Sequence, residues 1–367
     1  MKESIFIENL GPLKKVELND ITPMTVFVGE SGNGKSTIMK VLILFRWIYK
    51  KVCIRSYLRN SSITKSPFRF NFQKLIANNG LSDYFQPDTL IEYHRGDYVI
   101  SYKSGSLYSD ITIKNEDLSL DKLSFISDKR NVIPELLCNG VEINNSFYLA
   151  ETWNDFKKSM ESFIDVNIPY LDVKLTRKKA QNGYKFYIEG IAHKDYQVKF
   201  EDSSSGIQNV VPLIAVMDYF VNRYDLVSSF NRAIVSVLSD SDLLSKFKPE
   251  MDIGKINYKN LFFHIEEPEL SLYPQSQLEL MNQMLDICFK SADKKFDVSC
   301  MITTHSPYII NYLNLLIKEK KINFEDLKVY EIISGTVRLL NIDEKRIVNT
   351  AVLSEPIAGI YKRYNEL

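Results

Sequence analysis

The spacing of hydrophobic and polar positions changes along the chain, and its first part predicts strands. Segments at Ile5 to Glu8 and Leu13 to Leu18 are separated by a Gly-Pro turn, and a third strand is predicted at Met24 to Val28. An apolar run from Ser36 to Tyr49 has the length of a helix. This part of the chain therefore predicts three strands, a glycine-rich loop and a helix, in that order.

The middle of the chain, from about Lys51 to Tyr196, has a less regular pattern that predicts mixed structure. A helix is predicted from about Ser146 to Phe163. Short strands are predicted at Leu90 to Tyr93, Tyr98 to Tyr102, Ile111 to Lys114, Leu123 to Ile126, Leu171 to Leu175 and Lys185 to Glu189. The sequence of this region contains no sustained heptad pattern, so we expect a compact insertion rather than a coiled-coil arm.

The last third of the chain alternates short apolar strands with helices. Such alternation is typical of a parallel sheet covered on both faces, so the predicted fold class is α/β. Helices are predicted from about Ile207 to Tyr224, Gln275 to Phe289 and Pro307 to Leu316, and strands at Leu261 to Glu266, Ser299 to Thr303 and in a hairpin near Val329 to Leu340.

Composition narrows the class of protein without identifying its activity. Of the 367 residues, 45% are hydrophobic and 25% are charged, and the formal net charge is zero, which does not require a polyanionic partner. Charges interrupt the apolar runs before they reach the length of a membrane span, and no export signal precedes the first strand. Cys53, Cys138, Cys288 and Cys300 are scattered, so neither a zinc site nor a disulfide framework is favoured. We expect a cytoplasmic protein without a membrane partner.

A phosphate-binding loop is the clearest chemical signal in the sequence. The eight residues from Gly29 to Ser36, GESGNGKS, match G-x-x-x-x-G-K-[ST] between an apolar strand and a helix. Backbone N–H groups of such a loop surround phosphates, the lysine reaches the β- and γ-phosphates, and the serine hydroxyl binds Mg²⁺. We expect nucleotide contacts from Gly29, Asn33, Gly34, Lys35, Ser36 and Thr37. The loop alone does not distinguish kinases, GTPases, helicases and ABC-type ATPases.

Two adjacent carboxylates end the apolar strand that begins at Leu261. In a doubly wound sheet, the carboxyl end of a strand faces the ligand crevice. Glu266 would hold Mg²⁺ through water, and Glu267 would accept a proton from the attacking water or orient it. The alternative interpretation is an acidic loop without a catalytic role.

His305 follows the next buried strand and would contact a γ-phosphate oxygen. Its neighbours have a simpler explanation, because Ser306 caps a helix that begins with Pro307. A lone histidine at such a position is more often structural.

A second anion-binding surface is predicted where Ser204, Ser205, Gly206 and Gln208 precede a long apolar helix. Hydroxyl groups, a glycine and an exposed helix N-terminus favour an anionic ligand there. Serine and glycine are also ordinary residues at a helix start, so the segment gains weight only from its position between the phosphate loop and the acidic strand.

Taken in chain order, the phosphate loop, the segment from Ser204 to Gln208, the acids Glu266 and Glu267, and the segment with His305 resemble four motifs of ABC-type ATPases. These are the Walker A, signature, Walker B and H-loop motifs of the superfamily that includes RecF, Rad50 and SMC proteins. The segment from Ile265 to Pro274, IEEPELSLYP, together with Thr303 to Pro307, TTHSP, is most similar to bacterial ATPases related to the overcoming-lysogenisation-defect (OLD) and RecF proteins. The resemblance covers Met1 to about Tyr49 and Asp202 to about Leu340.

The resemblance implies a two-lobed P-loop NTPase head with a parallel or mixed sheet, N-terminal antiparallel strands and a compact α/β insertion. Lobe one would begin with residues 1–50, residues 51–196 would hold the remainder of that lobe and the insertion, and residues 197–367 would form lobe two. ATP and Mg²⁺ would bind at composite sites of a homodimer or higher homo-oligomer. Ser205 and Gly206 of one copy would contact the γ-phosphate held by Gly34 and Lys35 of another.

Several positions depart from the pattern of the superfamily. Glu266 stands where many relatives have Asp, Ile207 replaces a second glycine, and Tyr273 stands where relatives often have His. The Q-loop glutamine is not evident: Gln73 is one candidate, and the segment from Ser127 to Arg130 is another that lacks glutamine. We therefore expect slow hydrolysis.

The resemblance to the ATPase subunits of PARIS- and Septu-like systems implies a role in anti-phage defence, with a separate effector protein, expected to be a nuclease. One alternative is a RecF-like repair protein that clamps DNA, and another is a nucleotide-dependent scaffold with negligible turnover. Nucleic-acid phosphates could bind a basic stripe near the first helix, which could equally be a solvated face. The stripe comprises Arg46, Lys50, Lys51, Arg55 and Arg59.

Overall fold

Among the residues that the structure describes, eleven strands form one large mixed sheet, and the other strands form a four-stranded and a two-stranded sheet. The computed structural model describes residues 1–63, 67, 70–140, 143, 147–162, 165–181, 183–290 and 295–366. None of the helices in these ranges is long and apolar enough to span a membrane.

The helices and strands follow the chain in a regular order. The strands are β1 (Glu3–Leu10), β2 (Leu13–Leu18), β3 (Met24–Val28), β4 (Phe85–Arg95), β5 (Tyr98–Lys103), β6 (Ser106–Tyr108), β7 (Ser119–Ile126), β8 (Val166–Ile168), β9 (Val173–Ala180), β10 (Gly183–Gly190), β11 (Gln197–Lys199), β12 (Tyr258–Glu266), β13 (Asp297–Thr304), β14 (Leu327–Ile333), β15 (Thr336–Leu339), β16 (Asn341–Ile342) and β17 (Ile347–Val348). The helices are α1 (Lys35–Asn60), α2 (Phe72–Asn78), α3 (Ile133–Asn139), α4 (Phe147–Glu161), α5 (Ser205–Asn222), α6 (Leu226–Asp240), α7 (Pro274–Phe289), α8 (Pro307–Lys318) and α9 (Ala351–Glu366).

The large sheet joins a parallel half to an antiparallel half. Its strand order is β6-β5-β4-β1-β2-β15-β14-β3-β13-β12-β7. The strands from β14 to β7 are parallel, whereas β1 pairs antiparallel with both β2 and β4. Because parallel strands end at the same edge, the segments that follow β3, β13, β12 and β7 meet there. The predicted α/β fold with a mixed sheet and N-terminal antiparallel strands is confirmed.

Helix α1 lies between the two halves of this sheet and is buried over most of its length. Its apolar residues occur on every side, as expected for a helix enclosed by a core rather than resting on a surface. Arg46, near its middle, donates to the Glu3 carboxylate of β1 at 2.6 and 2.8 Å and lies 2.9 Å from His264 Nε2 of β12. The buried guanidinium of Arg46 therefore has its ionic partner on β1 and a further contact on β12.

The predicted basic stripe is not a continuous exposed face. Arg46 is only 1% exposed, because its guanidinium pairs with Glu3 and stacks on the ring of Phe262. Further along α1, Arg55 and Arg59 lie 3.5 and 3.4 Å from the same carboxylate oxygen of Asp110.

The two lysines of that stripe also pack on the protein. Lys51 lies over the ring of Trp47, and Lys50 is half-buried, where burial lowers its pKa to about 8. Arg46 is therefore excluded from an exposed stripe, and nucleic-acid binding by the other four residues stays a prediction.

The middle of the chain contributes to two sheets. Strands β4 to β7 extend the large sheet, whereas β8 to β11 form the separate antiparallel sheet. Helix α4 covers most of the predicted helix, whose end residues Ser146 and Phe163 lie outside the described residues. The prediction of a strand at Ile111 to Lys114 is wrong. This segment does not pair with a described strand, and the Ile113 N–H instead donates to Ser56 Oγ. The proposed boundaries of the lobes remain a prediction.

Replacing Arg46 with Met is expected to lower the free energy of unfolding by about 3–5 kcal/mol, because Glu3 would stay buried without its partner. Urea denaturation followed by circular dichroism measures the change. Adding Glu3→Gln should recover part of the loss, since the double variant has no unpaired charge. An unchanged urea midpoint in the single variant would contradict this account of α1.

Candidate functional site

The phosphate loop connects β3 to α1 through backbone conformations that require glycine. Gly29 has a φ of 148°, and a Cβ there would lie 2.6 Å from the carbonyl oxygen of Ile332. Gly34 has a φ of 103°, and its Cβ would lie 2.4 Å from a methyl carbon of Leu13. The neighbouring strands thus leave space at these positions only for backbone.

The Lys35 side chain folds back onto the first residues of the phosphate loop. Its Nζ donates to the carbonyl oxygens of Gly29 and Glu30 at 2.7 and 2.8 Å. Burial lowers the pKa of Lys35, while Glu267 and Glu269 oppose that shift. The ammonium group therefore lies between the loop and the carboxylates, where a γ-phosphate would have to bind.

The remaining predicted loop residues surround the start of α1. Ser36 and Thr37 occupy the first turn, which contains no acidic side chain and so leaves the positive end of the helix dipole available to an anion. Thr37 is buried, and the Asn33 side chain donates to the Ile332 carbonyl oxygen at 3.4 Å. The loop is therefore held against β14 as well as β3.

Glu266 ends β12 directly beside this helix start. The Ser36 hydroxyl and the backbone of Asp128 lie close enough to its carboxylate to favour the charged form. Burial raises the pKa of Glu266, and the nearby Asp128 carboxylate adds to the shift, while Lys40 opposes it. The structure therefore brings together the two residues predicted to hold Mg²⁺, Ser36 and Glu266, and adds Asp128 to them.

Glu267 has a left-handed backbone conformation, with a φ of 42°. Such a φ is strained for a residue with a side chain, and the surrounding structure must hold it. Its N–H donates to the Thr303 carbonyl oxygen at 2.9 Å, and its carboxylate lies 3.4 Å from His305 Nε2. Burial raises the pKa of Glu267, and a carboxylate with a raised pKa is a better proton acceptor.

His305 is positioned by Glu269, which the sequence analysis did not identify. One carboxylate oxygen of Glu269 accepts from the Thr304 hydroxyl at 2.6 Å and from the His305 N–H at 2.9 Å. Ser306 caps α8, as expected, and its hydroxyl also donates to Gln277 at 2.6 Å. The segment after β13 is thus bonded both to the acidic segment and to α7, with the imidazole facing Glu267.

The signature segment begins α5, with Ser204 as its N-cap residue. Ser204 and Ser205 are exposed, while Gly206 is buried. A Cβ at Gly206 would lie 2.9 Å from the Ser271 carbonyl oxygen, so the segment packs closely there. The Gln208 side chain donates to the Glu201 carbonyl oxygen at 2.9 Å and so supports the turn before the helix. Two hydroxyl groups at a free helix start remain available to an anionic ligand.

Two further residues of the site lie in the segment that follows β7. Asp128 borders Glu266, and Arg130 is completely buried and donates to the carbonyl oxygens of Glu266 and Glu267 at 2.7 Å. Burial lowers the pKa of Arg130 to about 10. Both residues lie in the segment from Ser127 to Arg130, one of the two candidate Q-loop positions, and because this segment lacks glutamine no local motif marks them. The other candidate, Gln73, is exposed on α2.

The oxygen atoms beside the phosphate loop suit Mg²⁺ better than a metal that needs a full set of protein ligands. No group of three or more His, Cys, Asp or Glu able to hold a metal occurs in the described ranges. Mg²⁺ is usually bound by one or two carboxylates, with waters and substrate phosphates completing its coordination. Ser36, Glu266 and Asp128 offer such a partial set.

Comparison with protein families finds an ATPase domain. Residues 142–310 match the model of the AAA ATPase domain family. This stretch contains the signature segment, Glu266, Glu267 and His305. The phosphate loop lies outside it, and it is near these residues because β3 is paired with β13 and β13 with β12. The match supports an ATPase domain in this part of the chain, and with it the general assignment of ATP binding and hydrolysis.

Comparison with solved structures finds likenesses of low sequence identity. No curated protein matches the chain. The SMC head domain from Thermotoga maritima is 10% identical, with 93% of this chain and 99% of that one covered and a TM-score of 0.35. The recombination mediator RecF bound to an ATP analogue is 12% identical, with coverages of 92% and 98% and a TM-score of 0.34. A dimeric ATP-binding cassette bound to ADP and Pi is 11% identical, with coverages of 91% and 97% and a TM-score of 0.33.

Proposed function

We propose that the chain is a Mg²⁺-dependent ATPase whose copies enclose ATP between them, and that its nucleotide state controls a separate effector, a nuclease, in anti-phage defence. One observation carries the enzymatic part of this proposal. The phosphate loop follows β3, His305 follows β13 and Glu267 follows β12, and these three strands are neighbours in the parallel half of the sheet.

The geometry suggests how these residues would divide the reaction. Lys35 would exchange the carbonyl oxygens of Gly29 and Glu30 for phosphate oxygens, which carry more negative charge. Glu267 would accept the proton of a water that attacks the γ-phosphorus, and His305 would donate to a γ-phosphate oxygen. The bond from the γ-phosphorus to the leaving oxygen then breaks, releasing ADP and phosphate.

Ser36, Glu266 and Asp128 would hold Mg²⁺, the last two directly or through water. When bound, Mg²⁺ neutralises negative charge on the β- and γ-phosphate oxygens. Asp128 lies in the candidate Q-loop segment from Ser127 to Arg130. Its carboxylate would supply the oxygen that the amide of a Q-loop glutamine would otherwise offer.

Replacing Asp128 with Asn is expected to raise the Mg²⁺ concentration for half-maximal ATPase activity about tenfold or more, because a neutral amide is a weaker oxygen ligand than a carboxylate. Titration of Mg²⁺ at saturating ATP measures the shift. Lys129, the exposed neighbour, provides a control as Lys129→Gln. An unchanged Mg²⁺ dependence for Asp128→Asn would remove Asp128 from the metal site.

A second copy is proposed because exposed groups beside the site are open to a nucleotide held by another molecule. Ser204 and Ser205 form an open helix start. Tyr273, which follows the acidic segment, is 79% exposed, and a large aromatic side chain in that position is typical of a contact surface. We propose that Ser205 and Gly206 of one copy contact the γ-phosphate bound by the other, and that hydrolysis is slow.

ATP should therefore convert the protein from monomer to dimer. Light scattering coupled to size-exclusion chromatography would compare the protein without nucleotide, with ADP and with a slowly hydrolysed ATP analogue plus Mg²⁺. Only the last should give the dimer, and EDTA should reverse it. A mass that does not depend on nucleotide would contradict the composite site while leaving ATP hydrolysis by single copies open to a separate turnover assay.

The effector and the defence role rest on the resemblance to two-component defence ATPases and need a cellular test. Cells carrying this gene with its genomic neighbours should resist phage, and Lys35→Met should abolish the resistance. Equal plaque counts with and without the intact genes would contradict the defence role.

A further inference from the structure

Arg130 connects several backbone segments of the nucleotide site. Its Nη1 donates to the carbonyl oxygens of Ser127 and Glu266 at 3.1 and 2.7 Å, and its Nη2 donates to that of Glu267 at 2.7 Å. The side chain has an exposed fraction of 0%, and all these acceptors are backbone carbonyl groups. A rigid, planar guanidinium fixes their relative positions in a way that a flexible ammonium group cannot.

The same guanidinium reaches the helix that carries the signature segment. Its Nε donates to the carbonyl oxygen of Asn209, one turn into α5, at 2.9 Å. The Asn209 side chain in turn donates to the carbonyl oxygen of Ser205 at 2.9 Å. A continuous series of hydrogen bonds therefore runs from Ser205 through Asn209 and Arg130 to the backbone of Glu266 and Glu267.

Both ends of this series are backbone segments that depend on outside support. Pro212 lies inside α5 and has no N–H to bond the Gln208 carbonyl group, so the first turns of the helix lack one internal hydrogen bond. At the other end, Glu267 holds its strained φ of 42° while Arg130 bonds its carbonyl oxygen. A small displacement of α5 would therefore alter the position of Glu267.

We propose that Arg130 couples the two nucleotide sites of a dimer. A nucleotide in the partner's phosphate loop would contact Ser205, and Arg130 would transmit the resulting position of α5 to Glu266 and Glu267 of the same copy. This inference rests on the composite sites of the proposed function, since Ser205 faces a nucleotide only when a partner supplies it. Arg130 is then a positioning residue, and turnover at one site depends on occupancy of the other.

The alternative is that Arg130 only stabilises the fold. Four hydrogen bonds to a buried guanidinium would do so whether or not ATP is bound. The two roles differ in one observable: a structural role predicts a loss that is the same for every nucleotide state, whereas coupling predicts a difference between dimers with one and two occupied sites.

Mixed dimers would measure this difference. One copy is wild type and the other carries Lys35→Met, and the ATP concentration is set to fill the wild-type phosphate loop while leaving the weakened loop mostly empty, so that the wild-type Ser205 faces a loop without nucleotide. The two copies carry different affinity tags and are purified in tandem with Mg²⁺ and ATP. Turnover per intact loop should be about fivefold or more lower than in wild-type homodimers, the lower limit of typical coupling between sites.

Arg130→Lys in the intact copy should abolish the difference, giving the same turnover per intact loop in mixed dimers and in Arg130→Lys homodimers. Asn209→Ala is a milder variant that removes only the bond to the Ser205 carbonyl oxygen, and it should reduce the difference. Thermal unfolding reports whether each variant is folded. Arg95→Lys is the matched control, because Arg95 is also buried but pairs with Asp121 near the opposite end of β7; it should preserve the difference.

The possible outcomes separate the coupling from the proposed function. Equal turnover per loop in wild-type homodimers and mixed dimers would overturn the coupling alone. The role of Arg130 would be overturned if turnover per intact loop still differed between homodimers and mixed dimers in both Arg130→Lys and Asn209→Ala. It would also be overturned if Arg95→Lys abolished that difference equally. Failure of wild-type copies to pair in ATP would overturn the composite sites and the coupling together.

Discussion

Glu267→Gln should hydrolyse ATP about 10²- to 10⁴-fold more slowly than the wild type, the usual contribution of a general base. The amide has almost the same shape as the carboxylate, so the left-handed backbone and the bond to the Thr303 carbonyl oxygen should persist. It cannot accept the proton of the attacking water. ATP binding should remain, and the variant should accumulate as a dimer held together by ATP.

Phosphate release at saturating ATP and Mg²⁺ measures the loss, and chromatography in ATP detects the dimer. Glu17→Gln, in an exposed position of β2, is the control and should retain wild-type turnover. Wild-type rates for Glu267→Gln would exclude Glu267 as the base. A loss of rate without an ATP-held dimer would instead keep the base and contradict the composite site.

The second large effect is expected at Lys35, where Met preserves the length of the side chain but removes its charge. Loss of one partner from a buried, charged hydrogen-bonded pair typically costs about 2–5 kcal/mol, which weakens ATP binding about thirtyfold or more. Part of the ATP affinity should survive, because the loop amides and the helix N-terminus also attract phosphate.

Calorimetric titration of ATP in a Glu267→Gln background measures this loss without hydrolysis. Lys51→Met, further along α1, is the matched control and should leave the affinity unchanged. Equal affinities for Lys35→Met and its parent would mean that the loop does not bind the β- and γ-phosphates through this lysine.

The sequence predicted those parts of the site that depend on neighbouring residues. The phosphate loop, the strand that ends at Glu266, and the serine cap with Pro307 are each built from residues next to one another in the chain. Their local chemistry therefore indicates a strand end, a tight turn or a helix start without reference to the rest of the fold. The roles assigned to these residues remain predictions, although the structure places several of them together.

The basic residues of α1 show where sequence reasoning failed. Their spacing suggested a charged face, but whether a helix residue faces solvent depends on what covers the helix. Glu3 and His264 come from distant parts of the chain, and together they enclose Arg46. No local pattern in α1 indicates that residues from both halves of the large sheet will cover Arg46.

By itself, the sequence determined the α/β class, the phosphate loop and the two acids, because each rests on periodicity or on contacts within a few residues. Only the tertiary structure decided that Asp128 borders Glu266, and that Arg130 joins the acids to α5. Those contacts depend on the order of parallel strands, which places β7 beside β12 although 131 residues separate the end of one from the start of the other, at Ile126 and Tyr258. Strand order is settled by packing of the whole sheet, so residues from remote segments share a site that none of those segments indicates alone.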